Sequence, residues 1–174
     1  MKANISVLIS ESDLQSKIDE MGATIKKDYE GKEVVIIGIL RGSIMFMADL
    51  AKKLDPETTE FEFVEVSSYG AETTSSGVVK INKDVSSSIT GKHVLVVEDI
   101  IDTGHTLAAI IEHLERKKPA SLQICTLLDK PERREVQKIK VDYTGFFIPN
   151  KFVVGYGLDY NQKYRNLGYI GIIE

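Results

Sequence analysis

The sequence has very little cysteine, no excess of basic residues and no long apolar run. Its 174 residues include one cysteine, so a disulfide within the chain is excluded. Lysine and arginine number 22 against 26 acidic residues, and the net charge of −4 argues against a protein that binds nucleic acid. No apolar run reaches the length of a membrane span, and the first residues lack the apolar core of a signal peptide. We therefore expect a cytoplasmic protein with no nucleic-acid or membrane partner.

Strands and helices alternate along the chain. Buried strands are expected at the apolar runs "EVVIIGIL", "FEFVEVSSYG", "KHVLVVED" and "SLQICTLLD". Helices are expected between them, including one from about Thr106 to Lys118 that ends before Pro119. The order predicts the α/β class, with a mostly parallel twisted sheet flanked by helices. Cys125 lies inside the last of these strands, which favours a buried side chain over a nucleophile.

The two ends of the chain predict further elements. Near the N-terminus, Ser10 can cap a helix whose apolar residues follow at helical spacing; they are Leu14, Ile18, Met21 and Ile25. The C-terminal stretch "FFIPNKFVVGYGLDYNQKYRNLGYIGIIE" is strand-like and aromatic, and predicts a few short strands beside the main sheet. We predict a single domain over residues 1–174. Its core covers about 30–145, and a small hood is built from about 146–174 plus N-terminal residues.

The stretch "VLVVEDIIDTGHTL" carries three carboxylates at the end of a predicted buried strand: Glu98, Asp99 and Asp102. Ligands of parallel sheets bind beyond the C-terminal ends of the strands. Residues 103–106 then begin a helix, where backbone amides favour a phosphate. The acids would serve hydroxyl groups, a metal or developing positive charge near that phosphate, as in a sugar phosphate. The competing interpretation is that acids at a helix start stabilise the helix, with Asp102 as its cap.

The segment "SSYGAETTSSGVV", which includes Ser68 and Tyr69, is too polar and flexible for a simple connection. Loops of this length in compact domains are usually lids or disordered.

These motifs together resemble a known family. "VLVVEDIIDTGHTL" looks like the phosphoribosyl pyrophosphate (PRPP) motif of the phosphoribosyltransferases. "ILRGS", "SSYG…TTSSG", "LLDKPERR" and "FVVGYGLDYNQKYRNLGYIG" resemble the 6-oxopurine branch, which contains the hypoxanthine-guanine enzymes. The resemblance runs from about Val34 to Ile170. It implies that a purine base and PRPP react to a nucleoside monophosphate and pyrophosphate, with Mg²⁺ as cofactor, in a homodimer or homotetramer.

The resemblance implies roles for the acidic motif. Glu98 and Asp99 match acids that hold the ribose hydroxyls and contribute to metal binding. Asp102 matches the general base near purine N7. The 5′-phosphate loop corresponds to Thr103, Gly104, His105 and Thr106. We expect His105 to act through its backbone amide, with its side chain exposed to solvent.

Further roles are implied outside that motif. Lys130 matches the donor to the purine 6-oxo group, Phe152 the stacking aromatic, and Val153 a backbone contact to the base. Asp159 matches a Mg²⁺ ligand beside the pyrophosphate, and carbonyls near it and Val153 would contact the 2-amino group of guanine. The pyrophosphate contacts correspond to Arg41, Gly42 and Arg165, and the lid to Ser68 and Tyr69. The peptide bond at Leu40–Arg41 can be cis in this branch.

Without the resemblance, Lys130 would be interpreted as a solvated lysine, Phe152 as a core residue and Arg165 as a surface charge. Three other functions stay open. They are a xanthine-preferring transferase, a phosphoribosyltransferase-like regulator that binds nucleic acid, and a sugar-phosphate or nucleotide binder without transferase activity.

Overall fold

The computed structural model describes residues 4–68 and 79–174, and these residues form two β-sheets. Within these residues the strands, in chain order, are β1 (Ile5–Ile9), β2 (Val34–Leu40), β3 (Thr59–Ser68), β4 (Val79–Lys83), β5 (His93–Ile101), β6 (Ser121–Asp129), β7 (Tyr143–Phe147), β8 (Val153–Val154) and β9 (Ile170–Ile173). The helices are α1 (Glu11–Asp28), α2 (Ile44–Ala51) and α3 (His105–Glu115), with one 3₁₀ turn at Pro131–Arg133.

The larger sheet has the strand order β4-β3-β2-β5-β6-β7 within the described residues. Strand β2 pairs in parallel with both β3 and β5, and β5–β6 and β6–β7 are also parallel. Strand β4 pairs antiparallel with β3 at the edge. The predicted α/β class with a mostly parallel sheet is confirmed.

The smaller sheet joins the two ends of the chain in the order β1-β9-β8, with both pairs antiparallel. Ile5 lies opposite Ile173, so the N-terminal strand β1 adds a third strand to the small sheet formed by β8 and β9. The predicted short C-terminal strands are therefore present, and they do pair with N-terminal residues. The boundaries of core and hood remain a prediction.

Helix α1 begins and packs as its sequence indicates. The hydroxyl of Ser10 accepts a hydrogen bond from the Asp13 amide at 3.1 Å and caps the helix. The stripe from Leu14 to Ile25 is buried against the larger sheet. Burying one apolar face is what stabilises a helix of this length.

The larger sheet is covered on both faces, because side chains alternate along each strand. In β2, Val34 and Ile36 pack into the apolar cluster that contains α1 and α2 residues. Val35 and Ile37 pack on the opposite face, in the cluster that contains α3 residues. The continuous apolar runs reflect this double burial. Cys125 is fully buried, as predicted, and burial raises the pKa of its thiol.

Some boundaries differ from prediction. Helix α3 ends at Glu115 rather than Lys118. Strands β1, β4 and β7 were not predicted. Edge strands such as β4, whose residues alternate between exposed and partly buried, carry a weak apolar signal. Across residues 4–68 and 79–174, no helix combines the length and apolarity needed to cross a membrane.

Candidate active site

Four of the predicted site residues lie at one edge of the larger sheet. Arg41 follows β2, Glu98 and Asp99 lie near the end of β5, and Lys130 follows β6. Since β2, β5 and β6 are adjacent and parallel, their C-terminal ends meet at this edge.

Glu98 and Asp99 are acidic but nearly buried, with 7% and 9% of their surface exposed. The Asp99 amide donates to Glu98 Oε1 at 3.0 Å, and the Ile100 amide donates to Asp99 Oδ1 at 2.7 Å. Burial, together with the charge of Asp99, raises the pKa of Glu98 well above its usual range. Burial also raises the pKa of Asp99, although hydrogen bonds and the charge of Arg165 oppose this. Hydroxyl donors or a cation would stabilise this strained pair of like charges.

The loop after β2 lies directly against these acids. A Cβ atom on Gly42 would lie 1.8 Å from Asp99 Oδ2, and one on Gly157 would lie 2.0 Å from the Gly42 carbonyl oxygen. Gly157 also has φ +101°, a conformation that favours glycine. Both glycines are therefore required for this close packing. The Leu40–Arg41 peptide bond is cis, the geometry that the resemblance allowed.

A polar network surrounds the predicted pyrophosphate residues. Arg165 donates to the Gly157 carbonyl at 2.7 Å and to Gln162 Oε1 at 3.0 Å, and its Nη2 lies 3.2 Å from Asp159 Oδ1. Arg41 Nη1 donates to the same Gln162 oxygen at 3.3 Å. The interpretation of Arg165 as a simple surface charge is wrong.

Gln162 was not predicted as part of the site. Its side-chain oxygen Oε1 accepts hydrogen bonds from both Arg41 and Arg165, and its backbone amide donates to Asp159 Oδ2 at 2.8 Å. Its backbone has φ +62°, a conformation unusual for glutamine that no sequence pattern indicates.

The turn after β5 forms a small cavity at the start of α3. The cavity has a volume of about 210 Å³ and is lined by residues 98–104 with Thr106 and Leu107. The first intrahelical hydrogen bond runs from the Ala108 amide to the Gly104 carbonyl at 2.9 Å. The amides before Ala108 therefore precede the helical ladder, as in helix-start anion sites.

The His105 side chain makes a contact that the sequence did not indicate. It is only partly exposed, and its Nε2 donates to the Glu135 carboxylate at 2.6 Å. The contact ties the turn to the segment that follows β6.

Asp102 and Lys130 lie next to each other. Lys130 Nζ is 3.9 Å from Asp102 Oδ2, and Lys130 is only 7% exposed. The interpretation of Lys130 as a solvated lysine is therefore wrong. Asp102 does not cap α3, whose N-cap is Gly104; instead its Oδ1 accepts a hydrogen bond from Arg133 Nε at 2.9 Å.

Arg133 was also missed from the sequence. A usable signal exists, because proline favours the first position of a helical turn. Pro131 begins the 3₁₀ turn, in which the Arg133 amide donates to the Lys130 carbonyl at 3.0 Å. This turn brings Arg133 close to Lys130 and Asp102.

Phe152 lies directly before β8, and Val153 is the first residue of that strand. Phe152 is 55% exposed and meets the Tyr160 ring edge-on, with centroids 5.7 Å apart. It is therefore not a core residue, and the competing interpretation is wrong. The side chain of Val153 is buried in the core, which leaves its backbone as the part that could contact a ligand.

The predicted lid is described only in part. Ser68 is the last residue of β3 and pairs with Val79. Tyr69 lies outside the described residues.

Comparisons with known proteins are consistent across the chain. Residues 10–161 match the model of the phosphoribosyl transferase domain family. The chain is 53% identical to "Hypoxanthine phosphoribosyltransferase" of Haemophilus influenzae, covering 98% of this chain and 96% of that protein. It resembles the crystal structure of a hypoxanthine-guanine phosphoribosyltransferase from Bacillus anthracis with TM-score 0.93 and 46% identity, covering 99% of this chain and 100% of that one. For a hypoxanthine phosphoribosyltransferase structure from Staphylococcus aureus the TM-score is 0.92, with 51% identity over 97% of this chain and 91% of that one.

Proposed function

The chain belongs to the phosphoribosyltransferase family, and from this membership we propose how its site performs purine salvage. The protein is an enzyme that transfers the 5-phosphoribosyl group from PRPP to hypoxanthine, guanine or both. The bond between ribose C1′ and the pyrophosphate oxygen breaks, and a bond from C1′ to purine N9 forms. The products are IMP or GMP and pyrophosphate, and the proton on N7 leaves to a base.

The observation that carries the proposal is the spacing of Lys130 and Asp102. Purine O6 and N7 are neighbouring atoms on one edge of the base, and in the reacting form N7 bears a proton. An ammonium and a carboxylate 3.9 Å apart match that edge in position and polarity. Lys130 donates to O6, and Asp102 accepts the N7 proton as general base. A 6-amino purine presents donors to Lys130 and is rejected.

Two groups of residues hold the ribose 5-phosphate. The buried carboxylates of Glu98 and Asp99 accept hydrogen bonds from the ribose hydroxyls, which relieves the repulsion between the two acids. The phosphate occupies the cavity at the start of α3, where amides and hydroxyls of residues 103–106 donate to it. Because the carboxylates bind the hydroxyls and the amides bind the phosphate, the ribose 5-phosphate fits in one orientation.

The leaving pyrophosphate lies between Gly42, Arg41 and Arg165. The two arginines already share Gln162 as an acceptor, so their guanidinium groups are held near each other. Guanidinium groups suit phosphate oxygens because they donate in a planar fork.

The acidic residues fit a magnesium ion. Within the described part of the chain, no group of three or more potential ligands is assembled, so the protein does not offer a complete cage. Mg²⁺ commonly takes one or two carboxylates plus phosphate oxygens and water. Asp159 would supply one such oxygen, and the neighbouring Glu98 and Asp99 would supply one or two; Arg165 lies 3.2 Å from Asp159. When bound, the ion neutralises charge on the pyrophosphate.

Phe152 and Val153 complete the purine site. The exposed face of Phe152 stacks on the base, and its contact with Tyr160 limits the ring's freedom. Backbone groups near Val153 and Asp159 contact the other edge of the base, where guanine carries its amino group. The preference between hypoxanthine, guanine and xanthine depends on these contacts.

We further propose a homodimer or homotetramer in the cytoplasm. Support comes from an apolar surface formed by α2 and β3. Ile44, Met45 and Phe61 are large, exposed and apolar, and Ile44 and Phe61 line one groove. Patches of this kind often mark contacts between proteins.

The test is a substrate panel with PRPP and Mg²⁺. Pyrophosphate release is measured with hypoxanthine, guanine, xanthine and adenine, with matched reactions that contain a chelator. We expect release with hypoxanthine or guanine, little with adenine, and a loss of activity without metal. A protein that releases pyrophosphate with none of the four bases contradicts the proposal, and a preference for xanthine would replace it.

A further inference from the structure

The two oxygens of Asp102 have different cationic neighbours. Oδ1 accepts the hydrogen bond from Arg133 Nε at 2.9 Å, whereas Oδ2 lies 3.9 Å from Lys130 Nζ. One oxygen is thus engaged by a hydrogen bond, and the other is beside the residue proposed to contact purine O6.

The segment that carries Arg133 is anchored on both sides. Before it, the Lys130 amide donates to the Ile101 carbonyl at 3.0 Å. After it, Arg134 Nη2 lies 2.6 Å from Asp129 Oδ1 in a largely buried ion pair. The next two amides donate to the Thr103 carbonyl at 2.9 and 3.1 Å. The segment is therefore fastened to the turn that carries Asp102, so the backbone of Arg133 has a defined place.

Resting on the function proposed above, we propose that Arg133 is a positioning residue for the reaction. Its hydrogen bond occupies Oδ1 of Asp102 and directs Oδ2 toward the purine edge beside Lys130. Arg133 itself does not touch the substrate. Oδ2 takes the N7 proton while N9 forms its bond to C1′ and pyrophosphate leaves.

The physical reason is the freedom of an exposed carboxylate. The Asp102 side chain is 44% exposed, and the terminal torsion of aspartate is broad, so without a partner its oxygens would sample several orientations. A small misplacement of a catalytic group lowers the rate without preventing substrate binding.

A competing interpretation is that the contact is an ordinary surface ion pair. Its two side chains are 46% and 44% exposed, and pairs of this kind contribute little to stability. The two interpretations differ in what they predict for the rate, since an ordinary surface pair would leave the turnover number unchanged.

The experiment is a double-mutant cycle with Arg133→Gln, Asp102→Asn and the combined variant. Single-turnover rates and the KM for each substrate are measured with hypoxanthine, PRPP and Mg²⁺. The single-turnover format allows the low rate of the Asp102→Asn variant to be determined. The thermal unfolding midpoint of each variant reports folding. The matched control is Arg116→Gln, which removes an exposed arginine paired with Glu112 on α3, away from the site.

We expect Arg133→Gln to lower the rate by about tenfold, part of the roughly 10²–10⁴-fold effect typical of a general base. The KM for PRPP should stay unchanged. In the Asp102→Asn background the same substitution should cause no further loss, because Arg133 acts only through the carboxylate.

Two results overturn the proposal for Arg133 alone. One is an unchanged rate in Arg133→Gln, and the other is an equal loss in both backgrounds, as a purely structural role would give. An unmodified protein without activity overturns the proposed function as well.

Discussion

Lys130 offers the sharpest test of how the purine is selected. The substitution Lys130→Met removes the ammonium group and keeps an unbranched side chain of similar length. Since Lys130 is only 7% exposed, retaining the buried aliphatic portion avoids the cavity that an alanine would leave. The variant therefore isolates the ammonium group.

The expected magnitude follows from the contacts of the ammonium group. Its distance of 3.9 Å to Asp102 Oδ2 is too long for a hydrogen bond, so little is lost there. The main loss is the charged hydrogen bond to the 6-oxo group, which contributes about 1.5–3 kcal/mol. At about 1.4 kcal/mol per factor of ten, kcat/KM for hypoxanthine should fall roughly 10- to 150-fold. Adenine makes no such bond, so its kcat/KM should stay level or rise.

The assay is pyrophosphate release with hypoxanthine and adenine at saturating PRPP. The matched control is Lys138→Met, since Lys138 is exposed in the segment between β6 and β7. The control should keep the selectivity of the unmodified protein. If Lys130→Met also keeps the original ratio of hypoxanthine to adenine, Lys130 does not contact the 6-oxo group and the assignment of the purine edge is wrong.

Three further predictions concern Asp102, Gly42 and Glu62. Asp102→Asn should slow nucleotide formation by roughly 10²- to 10⁴-fold while the affinity for PRPP, measured by binding titration, changes little. If the rate and the affinity fall by the same factor, Asp102 does not act in proton transfer. Gly42→Ala should raise the KM for PRPP by about tenfold or more, because the added methyl group displaces the Asp99 carboxylate and a small misplacement in a site is costly; an unchanged KM would contradict this. Burial alone would raise the pKa of Glu62, but hydrogen bonds from two backbone amides at 3.0 and 2.9 Å outweigh it and lower that pKa. A folded-state pKa below the unfolded value of about 4.3 means stability that is present above that pH and lost as the pH falls through the folded pKa. Glu62→Gln should therefore weaken the acid dependence of the urea midpoint, and an unaltered dependence would refute the assignment.

Local patterns were reliable where one periodicity dominated. The stripe of α1 and its Ser10 cap appear in the structure as predicted, because a helix that buries one face needs apolar residues at that spacing. The strands β2, β5 and β6 were equally clear, since burial on both faces leaves continuous apolar runs. Strand β1 has no continuous apolar run, since most of its residues are exposed or partly buried. It forms by pairing with β9 at the other end of the chain, which no local pattern indicates.

The sequence by itself determined the α/β class, the strand that carries Glu98 and Asp99 near its end, and the helix start that follows. These depend on local spacing, which is encoded in neighbouring residues. Only the tertiary structure decided that Lys130 is buried beside Asp102, that Arg133 bonds to the same carboxylate, and that Gln162 links Arg41 to Arg165. Burial and contacts between separate segments depend on how strands and loops pack in space, and a charged residue in a polar turn has the same local sequence whether it faces solvent or a site.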